Sequence, residues 1–345
     1  MFSSTHKIYL LKLLLCSNIY LIIFFQLLLD NGLSSNEIVN AISFGTICML
    51  VGDILSSLFA DSFGPKKIIL TAALVQALSV YLLPKCSSFE QLLAIEFLIG
   101  ISFPTIYGSD SKWLKHICSK DKYSEKKNQS VFWLSQFASA LIGCLLLGYP
   151  IIACYLSMCL YLIGFFICLQ LPDVPSNLAT NYLFNFKLIV EWIFKENKIK
   201  SILFYGSIMG ILNSYSWLLQ YYVTKDYAKV PIVFAIIQVI GAGLSLTGSL
   251  LSKKQINRGY LLHMVYGVMG FYLYYTFSST VFALWLSIGL GLLLRGMLSV
   301  VARNSLLSNY HAQQPIASLI FTLTGTARIV QAITLYIISF LALHN

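Results

Sequence analysis

Charge is scarce in this chain. Only 10% of its 345 residues are Asp, Glu, Lys or Arg, where an ordinary soluble domain has about a quarter. No long polar block interrupts it: 58% of residues are hydrophobic and the mean hydropathy is +0.78, which leaves no room for a sizeable soluble domain. There is no GxxxxGK[ST] run to cradle the phosphates of ATP, and neither an HExxH motif nor a CxxC pair to hold a metal. Carboxylate pairs suited to acid–base work are missing too, and His263 is the one histidine of five within an apolar segment. An intramembrane enzyme, such as a lipid-modifying transferase, has little here to be built from, and no cofactor is expected.

What the chain has is apolar runs. A helix needs about 20 apolar residues to cross a bilayer, and such segments fall near 8–29, 40–60, 68–84, 89–111, 129–148, 150–171, 201–223, 230–251, 259–277, 280–302 and 316–341. The expected fold is therefore all-α, a polytopic membrane bundle of eleven helices. The run from Ile8 to Leu29 is too long for a signal-peptide core and lacks a small-residue cleavage site, so it reads as the first span. With the N-terminus in the cytoplasm, seventeen basic residues lie on the inner side and three, Lys85, Lys225 and Lys229, on the outer side. Parity then puts the C-terminus outside. The formal charge of +10 resides in these short loops as an orienting signal, so the lipid bilayer is the partner it implies and nucleic acid is not.

The longest connection, 172–200, starts with Pro172-Asp-Val-Pro and continues as the aromatic and basic stretch 181–195, the pattern of an interfacial helix. It divides the chain into a six-helix bundle, 1–171, and a five-helix bundle, 201–345. Ser57 followed by Lys67, and Gly248 followed by Arg258, place a small residue ten positions before a base at corresponding points of the two parts, offset by 191 residues. Two related bundles are the expected architecture of a transporter.

The loop after the second span reads Ala60-Asp61-Ser62-Phe63-Gly64-Pro65-Lys66-Lys67, and here the chain resembles the major facilitator superfamily, whose pattern is Gly-x-Leu-Ala-Asp-Arg-x-Gly-Arg-Lys-Lys. Ala60, Asp61, Gly64, Lys66 and Lys67 match; Ser57, Ser62 and Pro65 replace a glycine and two arginines. Asp53-Ile-Leu-Ser-Ser57, Glu96-Phe-Leu-Ile-Gly100 through Gly108-Ser-Asp110-Ser111, Asn31–Ile38, Gln220 and Arg295-Gly296 are similar to a bacterial branch often described as multidrug or macrolide efflux proteins. The resemblance implies a multi-pass secondary transporter of the cytoplasmic membrane, moving a small solute by alternating access, with protons as a possible second partner. A non-transporting, degenerate relative is the alternative. Two features depart from the family: the fifth span lacks the glycine–proline signature of drug–proton antiporters, and the spans end at eleven where members have twelve.

A charge within a span costs at least ~2.5 kcal/mol at its centre on the insertion scale, which makes each one a candidate. Asp53 lies eight residues before Asp61, about 12 Å inside the end of the second span, and serves either as a proton carrier or as a structural carboxylate, since that helix flanks the cavity in family members. Glu96 shares a stripe of the fourth span with Tyr107 and Asp110 and is a solute- or proton-binding candidate; the alternative is a hydrogen-bonded carboxyl at a helix interface. Asp110 is positioned either to gate the cytoplasmic mouth with Arg295 or Arg303 or to anchor at the interface, and Asp61, Lys66 and Lys67 join it as gating candidates. Arg328 cannot titrate, so it needs a carboxylate, an anionic substrate or a water-filled cavity. Asn213, Trp217 and Gln220 in the seventh span form a polar and aromatic group suited to a solute of weak charge. The cysteines and the paired glycines Gly206/Gly210 and Gly241/Gly243 read as packing residues.

Overall fold

A computed structural model describes residues 4–117, 125–173, Glu191, 199–227, 231–251, 281–307 and 323–334. Its helices are α1 (Ser4–Leu15), α2 (Phe24–Asp30), α3 (Ser35–Phe63), α4 (Pro65–Leu82), α5 (Phe89–Ile117), α6 (Glu125–Leu145) and α7 (Pro150–Leu169). These are followed by α8 (Ile199–Tyr227), α9 (Pro231–Leu251), α10 (Val281–Leu307) and α11 (323–334). The ninth expected span, 259–277, and all of the expected interfacial helix except Glu191 lie outside the described residues. Each of the second to eighth and the tenth spans coincides with a helix, the eleventh does so over its described residues 323–334, and the described fold is the all-α, multi-helix architecture expected.

Polarity is arranged inside out. Leu145, Ile151, Ile152, Phe166 and Leu169 are exposed, whereas Lys12, Asp53, Gln76, Glu96 and Asn128 are buried. An apolar exterior around a polar interior suits a lipid surrounding, where buried charge must find partners within the protein. One hydrophobic core runs from Ile8 to Leu171 and a second from Ile202 to Leu323; a small cluster of Ile22 and Ala140, packed against Val239 and Ala242, joins them.

Glycines set the closest helix contacts. A Cβ at Gly52 would meet Gly100 O at 2.7 Å, and one at Gly100 would meet Gly45 O at 2.8 Å, so α3 and α5 touch backbone to backbone. In the other half Gly248 faces the Leu293 carbonyl and Gly296 the Ser245 carbonyl, drawing α9 onto α10. Gly45, Gly52 and Gly100 recur as Gly241, Gly248 and Gly296, each 196 residues on. The same shift carries the start of α3, Ser35, onto the start of α9, Pro231. The packing repeat is thus 196 residues and not the 191 read from the loop bases. Bases need only lie beyond a membrane surface, whereas a backbone contact fixes register to the residue. Gly206 and Gly210 pack on Thr326, Ala327 and Val330 of α11, the role expected of them.

The first span is a broken helix rather than the single helix expected over 8–29. α1 ends at Leu15, a 3₁₀ turn occupies Ile19–Ile22, and α2 leaves at 44°. The break has neither proline nor glycine. It persists because other helices answer the freed backbone groups: Ser135 Oγ donates to Leu13 O (2.6 Å), Gln136 Nε2 to Cys16 O (2.8 Å), and Tyr20 N to Ser157 Oγ (3.2 Å). Non-helical backbone within a membrane requires such internal partners.

At the far end of α3, Gly64 adopts φ +89°, a left-handed conformation that glycine takes without strain, and Pro65 opens α4 at its first turn. Lys66 Nζ donates to Leu171 O (2.7 Å) and Trp113 Nε1 of α5 to Pro172 O (3.1 Å), so one loop-motif lysine and one α5 tryptophan hold the two residues that follow the end of α7.

Candidate functional site

Between the halves lies a cavity of about 270 Å³. The break in the first span gives it Asn18 and Tyr20, α3 gives Thr46 and Asp53, α5 gives Glu96 and Phe103, and α6 gives Gln129, Trp133 and Gln136. From the other half come Asn213 of α8, Gln238 and Ser245 of α9, Arg295, Ser299 and Arg303 of α10, and Thr324, Arg328 and Gln331 of α11. Several of these polar groups sit at helical spacing on otherwise apolar helices, which is why one face of each helix can turn inward.

The charges are split by half. Both described lining carboxyls, Asp53 and Glu96, belong to the first half; all three described lining guanidiniums belong to the second. Asp53 accepts a hydrogen bond from the Thr324 side chain and lies within the electrostatic reach of Arg328 and Arg303. Its Oδ2 has no hydrogen-bond partner among the described residues. Glu96 occupies the space that a side chain at position 45 would take; Gly45 therefore makes room for a carboxyl between α3 and α5. Arg295 lies over the Trp133 ring, 5.1 Å from its centroid, while Trp133 Nε1 donates to Ser299 Oγ at 3.2 Å. Arg328 Nη1 donates to Gln331 Oε1 at 3.1 Å.

Of the candidates read from the sequence, Asp53, Glu96, Asn213, Arg295, Arg303 and Arg328 share this cavity. Two placements differ from expectation. The second span lines the cavity through Asp53 instead of flanking it. Arg303, counted among the bases beyond the tenth span, is 6% exposed within α10, because that helix continues to Leu307. The side chains of Asp61, Tyr107, Asp110, Trp217 and Gln220 lie outside the described part, and Lys67 is exposed away from the cavity. Sequence reading missed Asn18, Gln129, Trp133 and Gln136. Polar side chains within the first and fifth spans were the available signal, but nothing local says which face they share.

The family model of the Major Facilitator Superfamily matches residues 9–335. Among solved structures, the chain is similar to the xylose transporter XylE from E. coli in a partially occluded inward open conformation, with TM-score 0.69, 13% identity, and coverage of 97% of this chain and 90% of that one. It is similar as well to the nucleoside transporter NupG (TM-score 0.63, 14% identity, 96% and 90% covered). A third is the human organic anion transporter MFSD10 (TM-score 0.64, 14% identity, 95% and 90% covered). No curated protein sequence matches. The family match over nearly the whole chain makes it a multi-pass secondary transporter and not an enzyme. The chain belongs to the major facilitator superfamily. The match is to the superfamily as a whole and does not reach down to the efflux branch.

Proposed function

We propose that this transporter moves a small solute across the cytoplasmic membrane by alternating access, with its N-terminus in the cytoplasm and the cavity between residues 1–171 and 201–345 as the binding site. The observation that supports this most is the division of charge: carboxyls on one half face guanidiniums on the other. Rocking that opens one side of the cavity separates groups of opposite sign there. A bound solute or proton that compensates one of them favours one state over the other, and only such a difference can drive a transition. Residues 172–200 act as the linker between the bundles. Protons are taken up by Glu96 and Asp53, since guanidiniums do not titrate. Asn213, with Trp217, Gln220 and Tyr107, contributes to solute binding; Asp61, Lys66, Lys67 and Asp110 lie towards the cytoplasmic mouth. Likeness in fold to a D-xylose-proton symporter is in keeping with proton coupling.

Solute accumulation in proteoliposomes, with and without a proton gradient, across sugars, nucleosides, organic anions and amphiphilic drugs, tests the reading. Glu96→Gln should abolish gradient-driven accumulation while counterflow exchange survives. Unchanged gradient dependence in both Glu96→Gln and Asp53→Asn would return these carboxyls to structural duty. For orientation, alkaline phosphatase fused after Lys229 should be active and after Lys200 inactive; the reverse would invert the topology.

A further inference from the structure

The cavity wall carries more fixed positive than negative charge among its described residues. Arg295, Arg303 and Arg328 face Asp53 and Glu96. The two carboxyls are not equivalent. Glu96 is tucked against Gly45 beside Tyr20 and Cys48, at the α3–α5 contact. Asp53 is the carboxyl that looks across to the arginines, and it spends one oxygen on Thr324. Guanidiniums keep their proton whatever their surroundings, and a cation at membrane depth is stable only beside an anion or water. Arg328 spends one of its donors on Gln331, and a planar guanidinium with five donors has others left for an anion.

A second observation comes from the first half. Asn18, 2% exposed in the break of the first span, accepts from Tyr161 Oη through its Oδ1 at 2.5 Å, which orients its amide. Its Nδ2 has no acceptor among the described residues, although Asn18 lines the cavity. A buried amide donor without an acceptor is unfavourable, and the cost is relieved when a ligand supplies an oxygen. Both halves therefore offer donors to the same enclosed space.

We propose that the solute is a small oxyanion, a carboxylate or phosphate compound, whose anionic group is received by Arg328 in competition with Asp53 and whose remaining oxygens meet donors such as Asn18. This rests on the reading of the cavity as the transport site. Asp53 is then an internal stand-in for the substrate: it neutralises Arg328 in the empty carrier and yields it to the incoming anion. The volume of about 270 Å³ fits a compact solute and not a bulky amphiphile.

Thermal unfolding of the purified protein in neutral detergent tests this with lactate, succinate and inorganic phosphate as probes. Xylose, uridine and tetraphenylphosphonium serve as uncharged and cationic comparisons, and sodium chloride holds ionic strength constant. At least one of the three anions should raise the unfolding temperature, and the comparison solutes should not. Arg328→Gln should lose that shift, and Arg328→Lys should keep part of it. Asp53→Asn supplies the opposite sign: by removing the competing carboxylate it should lower the half-saturating anion concentration several-fold, an outcome that a purely structural Asp53 does not produce. No shift with any of the three anions, an equal shift with xylose, or weaker anion binding in Asp53→Asn would overturn the proposal. Stabilisation by added phosphatidylglycerol alone would overturn it as well, by making a lipid headgroup the source of the oxyanion. Counterflow in proteoliposomes separates this proposal from the reading beneath it. Exchange of labelled xylose or uridine without any anion shift leaves the transporter and removes the anion site. An anion shift without counterflow of that anion keeps the site and removes the transport.

Discussion

Asp53 and Ser249 stand 196 residues apart at equivalent places in the two halves, and each meets a hydroxyl of the opposite half. The Thr324 hydroxyl donates to the Asp53 carboxylate, and Ser249 Oγ lies 3.2 Å from Ser130 Oγ. The two seams, α3 with α11 and α6 with α9, are thus related by the internal repeat. One pair includes a carboxylate and the other is two hydroxyls, so of these two contacts the Asp53–Thr324 one is sensitive to an ion or a proton.

That charged seam yields the first expectation. Asp53→Asn and Arg328→Gln should each destabilise the protein in the absence of added anion, since buried Asp53 and half-buried Arg328 each lose the opposite charge that offsets their own desolvation. The double variant should lose less than the two separate losses together, with a coupling energy of about 1–3 kcal/mol. Thermal unfolding of the four proteins measures it, and strict additivity would show that the two side chains do not act as a pair.

Glycine contacts give a second. Gly296→Ala should destabilise by about 1–3 kcal/mol, the usual cost of overpacking, because the added methyl meets the Ser245 backbone, which has nowhere to go. Gly100→Ala should behave alike, since it is the equivalent glycine of the other half and its added methyl meets Cys48 and the Gly45 carbonyl. A Cβ at Gly148 meets nothing within 4 Å, so Gly148→Ala is the neutral control. Equal unfolding temperatures for all three variants would contradict the close approach of these helices.

The broken first span depends on side chains that reach it from α6. Gln136→Leu removes the donor to the Cys16 carbonyl and should cost about 1–3 kcal/mol for an acceptor left buried without a partner. Gln136→Glu, which keeps the length but not the donor at neutral pH, should be no better. Hydrogen exchange at residues 13–23 locates the effect; protection unchanged in both variants would mean that the break holds without this bond.

Much of the fold was legible because hydropathy reports burial in lipid directly, and Asp53, Glu96 and Arg328 stood out as charges with no cheap place to be. What escaped was set by distance along the chain. The partners that stabilise the break, Ser135, Gln136 and Ser157, lie more than a hundred residues from it, so Ile8–Leu29 reads as one continuous helix. Arg303 escaped for a related reason: a base after a span is the default mark of a loop, and only the continuation of α10 to Leu307 brings it indoors.

A local device is checkable by pH. Ser34 caps α3 in a reciprocal capping box: its Oγ accepts from Glu37 N at 3.3 Å and its N–H donates to Glu37 Oε2 at 2.8 Å. The Ser34 hydroxyl, which donates to Glu37 Oε2 at 2.7 Å, and then the Ser34 N–H hold the Glu37 carboxyl below its ordinary pKa. A depressed carboxylate contributes stability that is present above its unfolded pKa and is lost as pH falls through the folded value. Ser34→Ala should therefore lower the unfolding temperature slightly at neutral pH, with the gap to the parent closing as the solution is acidified below the glutamate range. A gap independent of pH would separate the cap from Glu37.

The central claim, that the two halves move against each other to carry solute past the cavity, is tested most directly by fastening them together. Ser130 and Ser249 face each other across the α6–α9 seam at 3.2 Å, close enough for a disulfide in the Ser130→Cys, Ser249→Cys double variant. Counterflow of a solute that the parent protein exchanges is then measured in proteoliposomes after oxidation and again after reduction, with each single variant as a control. Oxidation should stop counterflow in the double variant alone, and reduction should restore it. Full counterflow in a completely cross-linked sample would contradict the account, because the solute would then be crossing without relative movement of the halves at this seam.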